Sequence, residues 1–418
     1  MNTASNTIPR LNRTICMHVC QAQYYLIIQH SIQFRMVIDM AIKKHPELFP
    51  AKISSGYKMK EIRFSKKLTL KIRRIVIVGV SYTIRPSFAM PYMTGFVKDV
   101  EKPLFLRKFA VPFWALSYCF GKNPMFWYRL EASIGRHSLL GTTIKSAERL
   151  PQHLSADEKH TRLLGEKTYI ATTAGNGCIL GACVSESASG EKLQKAYSVF
   201  KEEAAYVNPE YQPDTVNTDG WMATQNAWKK LFPKIAVLSC FLHIFIGIRD
   251  RSRKKYKVHF LDVATRLWDC FRAESKGAFS QRVRRLSERC QNMKNEIPDV
   301  ISGKIKKLRD NLPQFSQAYD FPGAHRTSNM VDRLMQRMDR HLFSTQYFHG
   351  TMKSANLSIR AWALIQNFAP LNPWTVKQKG HVSSFQRVNG FQYHENWLQN
   401  LLISASLGGI RAGPPNPL

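Results

Sequence analysis

Acidic residues are scarce in this chain: 29 Asp and Glu stand against 61 Lys and Arg in 418 residues, a formal net charge of +32. That imbalance excludes the near-neutral surface usual for a metabolic enzyme and favours a polyanionic partner, either nucleic acid or an anionic membrane surface. Long apolar runs are missing as well. No stretch reaches the ~18 consecutive apolar residues of a membrane span, so no membrane insertion is expected. The eight cysteines (16, 20, 119, 178, 183, 240, 270 and 290) are too scattered for a disulfide framework, and reduced thiols follow. Cys16, His18 and Cys20 lack a second pair at a fitting distance, which argues against zinc there. The opening MNTASNTIPRLNRT lacks the apolar core and small-residue cleavage site of a secretion signal, so a cytoplasmic location is expected. Internal repeats and low-complexity tracts are also absent.

What is present describes a globular chain: 44% hydrophobic and 11% aromatic residues, long enough for two or three domains. The positive charge is uneven. Residues 1–150 hold 24 basic and 7 acidic residues, and residues 251–326 hold 18 and 8. Between them lies a stretch much closer to neutral. Two basic regions flanking such a centre would grip a polyanion and present its backbone to the middle.

Local pattern divides the chain further. Residues 21–44 show helical periodicity. Residues 58–82 interleave basic and apolar residues as a small basic sheet would, with Lys66, Lys67, Arg73 and Arg74 as candidate phosphate contacts. Short helices follow from about Val100 to Ile134, with Gly121 between two of them and Asn123-Pro124 opening the next. That arrangement suits a helix-turn-helix DNA reader with Lys122 and Arg129 outward. Phe113, Trp114, Phe120, Phe126, Trp127 and Tyr128 are read as core. From Leu154 the text turns to α/β: a short strand at 154–157, strands at 167–173 and 178–186 around an Asn176-Gly177 turn, and a helix near 191–206. A strand ending at Asp219, a helix near 222–231 and an apolar run at 234–243, read as a buried parallel strand, complete it. Residues 244–320 read as helical and basic, with Arg284 and Arg285 as further DNA contacts.

Three carboxylates stand out. Asp157 lies in LSADEKHT, Asp219 ends TVNTDG, and Asp332 lies in the helical TSNMVDRLMQRMDR. Glu158 competes with the first, facing the other way on a strand, and Asp339 with the third, nearly two helical turns on. An acidic cluster inside so basic a chain points to divalent metal acting on a polyanion.

Taken together, ADEKH, NTDGW, SNMVDRLM and the Cys240-Phe-Leu-His243 between the last two resemble bacterial insertion-sequence transposases of the DDE/DDD type, with the C-x-x-H of mutator-like relatives. The resemblance covers roughly residues 150–345. It implies a ribonuclease H-like α/β core, a mixed five-stranded sheet with helices, over 151–250 and 327–407. An all-α insertion would occupy 251–326, a basic DNA-binding region 1–150, and a loose tail 408–418. Most relatives carry Glu as the third acid, whereas this chain has Asp332. The resemblance further implies that Asp157, Asp219 and Asp332 hold two Mg²⁺ or Mn²⁺ ions about 4 Å apart, with Cys240 and His243 a structural hydrogen-bonded pair beside them. The implied partners are terminal-repeat and target DNA and further copies of the chain, without a membrane, in a nucleoid-associated protein. Two other readings remain: a DNA-binding descendant without catalysis, and a host nuclease of the same fold.

Overall fold

The computed structural model describes residues 12–293 and 297–410. Two sheets organise it. In the first, β1 (Thr14–Met17), β2 (Lys58–Ser65), β3 (Leu70–Ile77) and β4 (Val80–Pro86) take the order β1-β4-β3-β2, with β1 parallel to β4. Helices α1 (Gln21–Ile27) and α2 (Ser31–Lys44) lie between β1 and β2; the break at residues 28–30 divides what periodicity alone reads as one helix. Next come α3 (Val97–Arg107), α4 (Phe113–Phe120), α5 (Pro124–Ile134) and α6 (Leu139–Thr143). The turn from α4 to α5 follows local chemistry. Gly121 adopts φ 68°, and the Asn123 side chain accepts the Phe126 N–H (2.7 Å) ahead of Pro124.

The second sheet contains β5 (His153–Leu163), β6 (Glu166–Gly175), β7 (Cys178–Ser185), β8 (Thr215–Thr218) and β9 (Ala236–Ser239) in the order β7-β6-β5-β8-β9. β5, β6 and β7 are antiparallel, while β5, β8 and β9 run parallel. Asn176-Gly177 forms the expected two-residue turn, with φ 49° and 67°. Leu164-Gly165 makes the same turn with φ 52° and 87°, so β5 runs well past the short strand expected at 154–157. β9 is shorter than expected, because Cys240 becomes the N-cap residue of the next helix.

Helix α7 (Gly190–Val207) links β7 to β8, and α8 (Met222–Leu231) links β8 to β9. A helical block follows: α9 (Phe241–Ser252), α10 (Lys257–Phe271), α11 (Lys276–Asn292), α12 (Asp299–Asp310) and α13 (Leu312–Ser316). The chain then returns through α14 (Asn329–Ser344), α15 (Met352–Phe368), α16 (Pro373–Lys379), α17 (Ser384–Asn389) and α18 (Trp397–Ser404). The result is a mixed α/β protein whose five-stranded sheet is covered by helices on both faces.

Burial shows how these parts belong together. Tyr197, Phe200, Trp228 and Phe232 from α7, α8 and the segment after it pack with Leu154 and Val216 on one side of the sheet. On the other side, Ile170 and Ile179 share a core with Val331 and Met338 of α14 and with Ile359 and Phe368 of α15. That same core continues without a break into Ile75, Ile84, Leu104 and Leu130 of the first 150 residues. The region expected to be a separate DNA-binding unit is thus packed onto the second sheet's helices. The helical block instead has its own core, centred on Phe241, Val263, Phe279, Val283 and Ile305. The tail expected to be loose from residue 408 begins with Gly408, Gly409 and Ile410 buried, and the Ser138 N–H donates to the Gly408 carbonyl (2.7 Å). Residues 411–418 lie outside the described residues. Among the described residues no helix is long and apolar enough to cross a membrane.

Candidate active site

Two parallel strands bring the first two acids together. β5 pairs with β8 so that Ser155 lies opposite Asn217; the same register continued by two residues sets Asp157 beside Asp219. β8 ends there because Gly220 adopts φ 92°, open to glycine and strained for other residues. The Trp221 N–H then donates to Asp219 Oδ1 (2.8 Å), and α8 begins. Asp157 Oδ1 accepts the Glu158 N–H (2.8 Å).

Asp332 arrives from the first turn of α14. Its Oδ2 accepts the Ser328 hydroxyl (2.7 Å). The Ser328 N–H donates to the Cys240 sulfur, and the Cys240 S–H donates to Ser328 Oγ, each at 3.1 Å. The Phe241 N–H donates to the Arg326 carbonyl one step further out. A buried cysteine at the end of β9 therefore fixes the segment that delivers the third acid. Cys240 was expected to bond to His243, and a side-chain hydrogen bond between them is the largest influence on the imidazole. Cys240 bonds to Ser328 as well, a contact the expectation did not include, and the buried His243 Nδ1 has no partner among the described residues.

The three acids sense one another. Burial first, then the negative charge of Asp219 and more weakly that of Asp332, pushes the Asp157 carboxyl up to about 6, against the Glu158 N–H and nearby His243. The hydrogen bond to the Cys240 side chain, helped by the negative charges of Asp219 and Asp157, raises the His243 imidazole to about 9 despite its burial. None of the three acids has a Lys, Arg or His within ion-pair distance among the described residues. That is unusual company for a carboxylate in a chain of net charge +32.

Both rival acids are engaged elsewhere. Glu158 lies on the opposite side of the sheet, where Oε1 accepts the Tyr197 hydroxyl (2.7 Å) and the Thr224 hydroxyl (2.6 Å). Burial raises its carboxyl to about 7 in spite of those two bonds. Asp339 forms an ion pair with Lys159 (2.6 Å) on the surface.

The expected DNA contacts divide. Lys66 and Lys67 are exposed at the tip of the β2–β3 hairpin, Lys122 in the α4–α5 turn, Arg129 on α5, and Arg284 and Arg285 on α11. Two others are corrected. Arg73 is buried, donating to the Ile28 carbonyl beneath the Phe34 ring. Arg74 is held by Glu61 (2.5 Å). Strand alternation turns Arg73 inward and Arg74 to the opposite face, where it spends its charge on Glu61. Trp114 and Phe120, read as core, are 68% and 41% exposed. Ser328 escaped the sequence reading; its only sequence signal is a position one helical turn before Asp332.

No family model matches this chain, and no curated protein matches it at a significant level.

Among the described residues no group of three or more His, Cys, Asp or Glu is arranged so that it could hold a metal ion. In chemical type alone, the three carboxylates are the hard oxygen donors that a divalent cation takes, and none of them has a basic side chain in ion-pair contact. Burial of Asp157, together with the charge of Asp219, has a measurable consequence. With the Asp157 carboxyl lifted from 3.8 to about 6, the folded chain binds more protons than the unfolded chain across that range. Stability therefore falls as pH rises from about 4 through 6. Asp157→Asn removes the penalty, so without divalent ions the variant is expected to exceed the wild type by roughly 1–3 kcal/mol at pH 8, the gain vanishing by about pH 4. Urea unfolding at both pH values tests this, and an Asn variant no more stable at pH 8 contradicts it.

Proposed function

We propose that this protein is a DNA transposase of the DDE/DDD type, built on a ribonuclease H-like core and cutting and joining phosphodiesters with divalent metal. The observation that carries the reading is the convergence of Asp157, Asp219 and Asp332 from two adjacent parallel strands and a following helix. The strand order, three antiparallel strands and two parallel ones with α7 and α8 as crossovers, is the arrangement a ribonuclease H-like core requires. The separately cored helical block between Asp219 and Asp332 supports the same reading, as does the positive charge.

Asp157, Asp219 and Asp332 would hold Mg²⁺ or Mn²⁺. Such ions, when bound, lower the pKa of a water or a 3′-hydroxyl and stabilise the leaving oxygen of an in-line displacement at phosphorus. The protein's own share is position. The Glu158 and Trp221 N–H groups orient the first two carboxylates, and Ser328 orients the third. His243 keeps a proton beside them and offsets part of their mutual repulsion. Exposed cations such as Lys66, Lys67, Lys122, Arg129, Arg284 and Arg285 would hold the duplex, and pairing of two DNA ends implies an assembly of several copies.

The test is Mg²⁺- or Mn²⁺-dependent nicking of a duplex carrying the DNA that flanks this coding sequence, beside a scrambled duplex. Nicking confined to the flanking end and abolished by chelator is expected. Equal cleavage of both duplexes would make the protein a general nuclease, and binding without cleavage a DNA-binding protein only.

A further inference from the structure

Helix α14 carries more than Asp332. Arg333, Arg337 and Arg340 follow at positions i, i+4 and i+7, all exposed, on the part of the helix surface neighbouring Asp332. At 1.5 Å per residue they span about 10 Å along the axis. The opposite arc of the helix is buried through Val331, Leu334, Met338 and His341, so the row cannot turn inward. None of the three arginines has an acidic partner within ion-pair distance among the described residues. Asp339, the one acid on this stretch of the helix, is taken by Lys159 (2.6 Å).

The row is crowded further from behind. The Lys108 ammonium is anchored by the carbonyls of Ala369 (2.8 Å) and Pro370 (2.6 Å). Burial and the charge of Arg337 lower it to about 8, and burial with the charges of Arg340 and Arg333 lowers Arg337 itself. Arg337 thus sits among three other cations, Lys108, Arg333 and Arg340, and none of the three arginines has an acid in ion-pair contact among the described residues. The helix end is tied down: the Phe348 N–H donates to the Arg162 carbonyl, and the Leu164 N–H to the Phe348 carbonyl. α14 therefore runs from the acid cluster toward the β5–β6 hairpin, whose Arg162 and Lys167 face each other across the strands and are both exposed.

We propose that Arg333, Arg337 and Arg340, backed by Lys108, form the track that holds the sugar–phosphate backbone of the DNA strand leading away from the reacting phosphodiester at Asp157, Asp219 and Asp332. The inference rests on the function proposed above and specifies which surface carries the substrate strand next to the site. Arginine suits the task because its planar guanidinium bonds a phosphate through two parallel N–H groups. A row starting beside the third acid orients the strand as well as attracting it.

The experiment measures duplex binding in EDTA, where no cleavage occurs, as a function of salt. The triple variant Arg333→Gln, Arg337→Gln, Arg340→Gln is compared with the wild type. A control triple variant, Lys43→Gln, Lys44→Gln, Lys52→Gln, removes the same charge from an exposed surface on and beyond α2. Each lost phosphate contact removes about 0.9 from the slope of log K against log salt, so the row variant is expected to be shallower by roughly 2–3 while the control stays near wild type. Equal slopes for the row and control variants overturn the track and leave the transposase reading standing. A wild type that binds no duplex overturns both. Loss of binding to phosphatidylserine vesicles with duplex binding intact would make the row a membrane contact, and the proposal fails. Circular dichroism and thermal melts at wild-type levels, expected for exposed Arg→Gln changes on a helix, exclude misfolding as the cause.

Discussion

Arg360→Met is expected to cost about 3–5 kcal/mol of folding stability, because it strands a buried carboxylate. Arg360 reaches across from α15 to pair with Glu203 of α7 in a site closed to solvent, and it also donates to the carbonyls of His137 (2.9 Å) and Gly135 (3.3 Å). Glu203 further accepts the Ser138 hydroxyl (2.8 Å) and the Leu140 N–H (2.9 Å). Without the guanidinium, a nearly inaccessible charge keeps two neutral donors and loses its cation, and two carbonyls lose their donor. Arg360→Met combined with Glu203→Gln removes the stranded charge and should recover part of the loss. Urea midpoints for the wild type, the single variant and the double variant decide it; a single variant within about 1 kcal/mol of wild type would show the pair to be dispensable. The network joins the segment before residue 150 to both α7 and α15, so those parts should unfold in one transition.

The same network explains what the sequence could and could not convey. The second sheet was legible because its signals are local. Asn176-Gly177 declares a turn, the alternation in KTYIATT declares a strand, and Asp219-Gly220 ends an apolar run. Asp157 and Asp219 could be selected because each lies where a strand reaches an end or an edge in that pattern. Leu164-Gly165 was missed because leucine at positive φ carries no turn signature, and β5 was cut short as a result. Arg73 and Arg74 show the limit of charge as a guide. Both sit in a basic segment, yet one is consumed by the Ile28 carbonyl and the other by Glu61. Trp114 and Phe120 show the converse, since aromatic residues in a short helix give no sign of which face is covered. The Cys240–Ser328–Asp332 connection spans 88 residues between cysteine and serine, and no periodicity encodes a contact of that length. At the boundary expected at residue 150 the core runs on, for a related reason. A change in charge and pattern marks a change of local structure, whereas a domain needs its own core, and Ile75 and Leu104 share theirs with Ile359 and Phe368.

Asp219→Asn is expected to lower metal-dependent nicking more than about 100-fold while leaving duplex binding in EDTA unchanged. The amide is nearly the size of the carboxylate, and its oxygen can still accept the Trp221 N–H, so the turn into α8 persists. What disappears is the charge. A neutral oxygen is a far poorer ligand for a hard divalent cation, and loss of a direct ligand should exceed the 10–100-fold typical when only a supporting hydrogen bond is removed. Ser328→Ala provides that second case within the same protein. It keeps the Asp332 carboxylate and removes only the hydroxyl that orients it, so a fall of roughly 10–100-fold is expected. Mn²⁺-induced thermal stabilisation gives a readout independent of cleavage. It should be present in the wild type, weakened in Ser328→Ala and abolished in Asp219→Asn, because an ion that binds only the folded site stabilises it by mass action. Nicking at the wild-type rate by Asp219→Asn would remove this residue from the chemistry. The reverse order, with Ser328→Ala the more damaged of the two, would mean that α14 itself and not the acid pair on β5 and β8 governs the reaction.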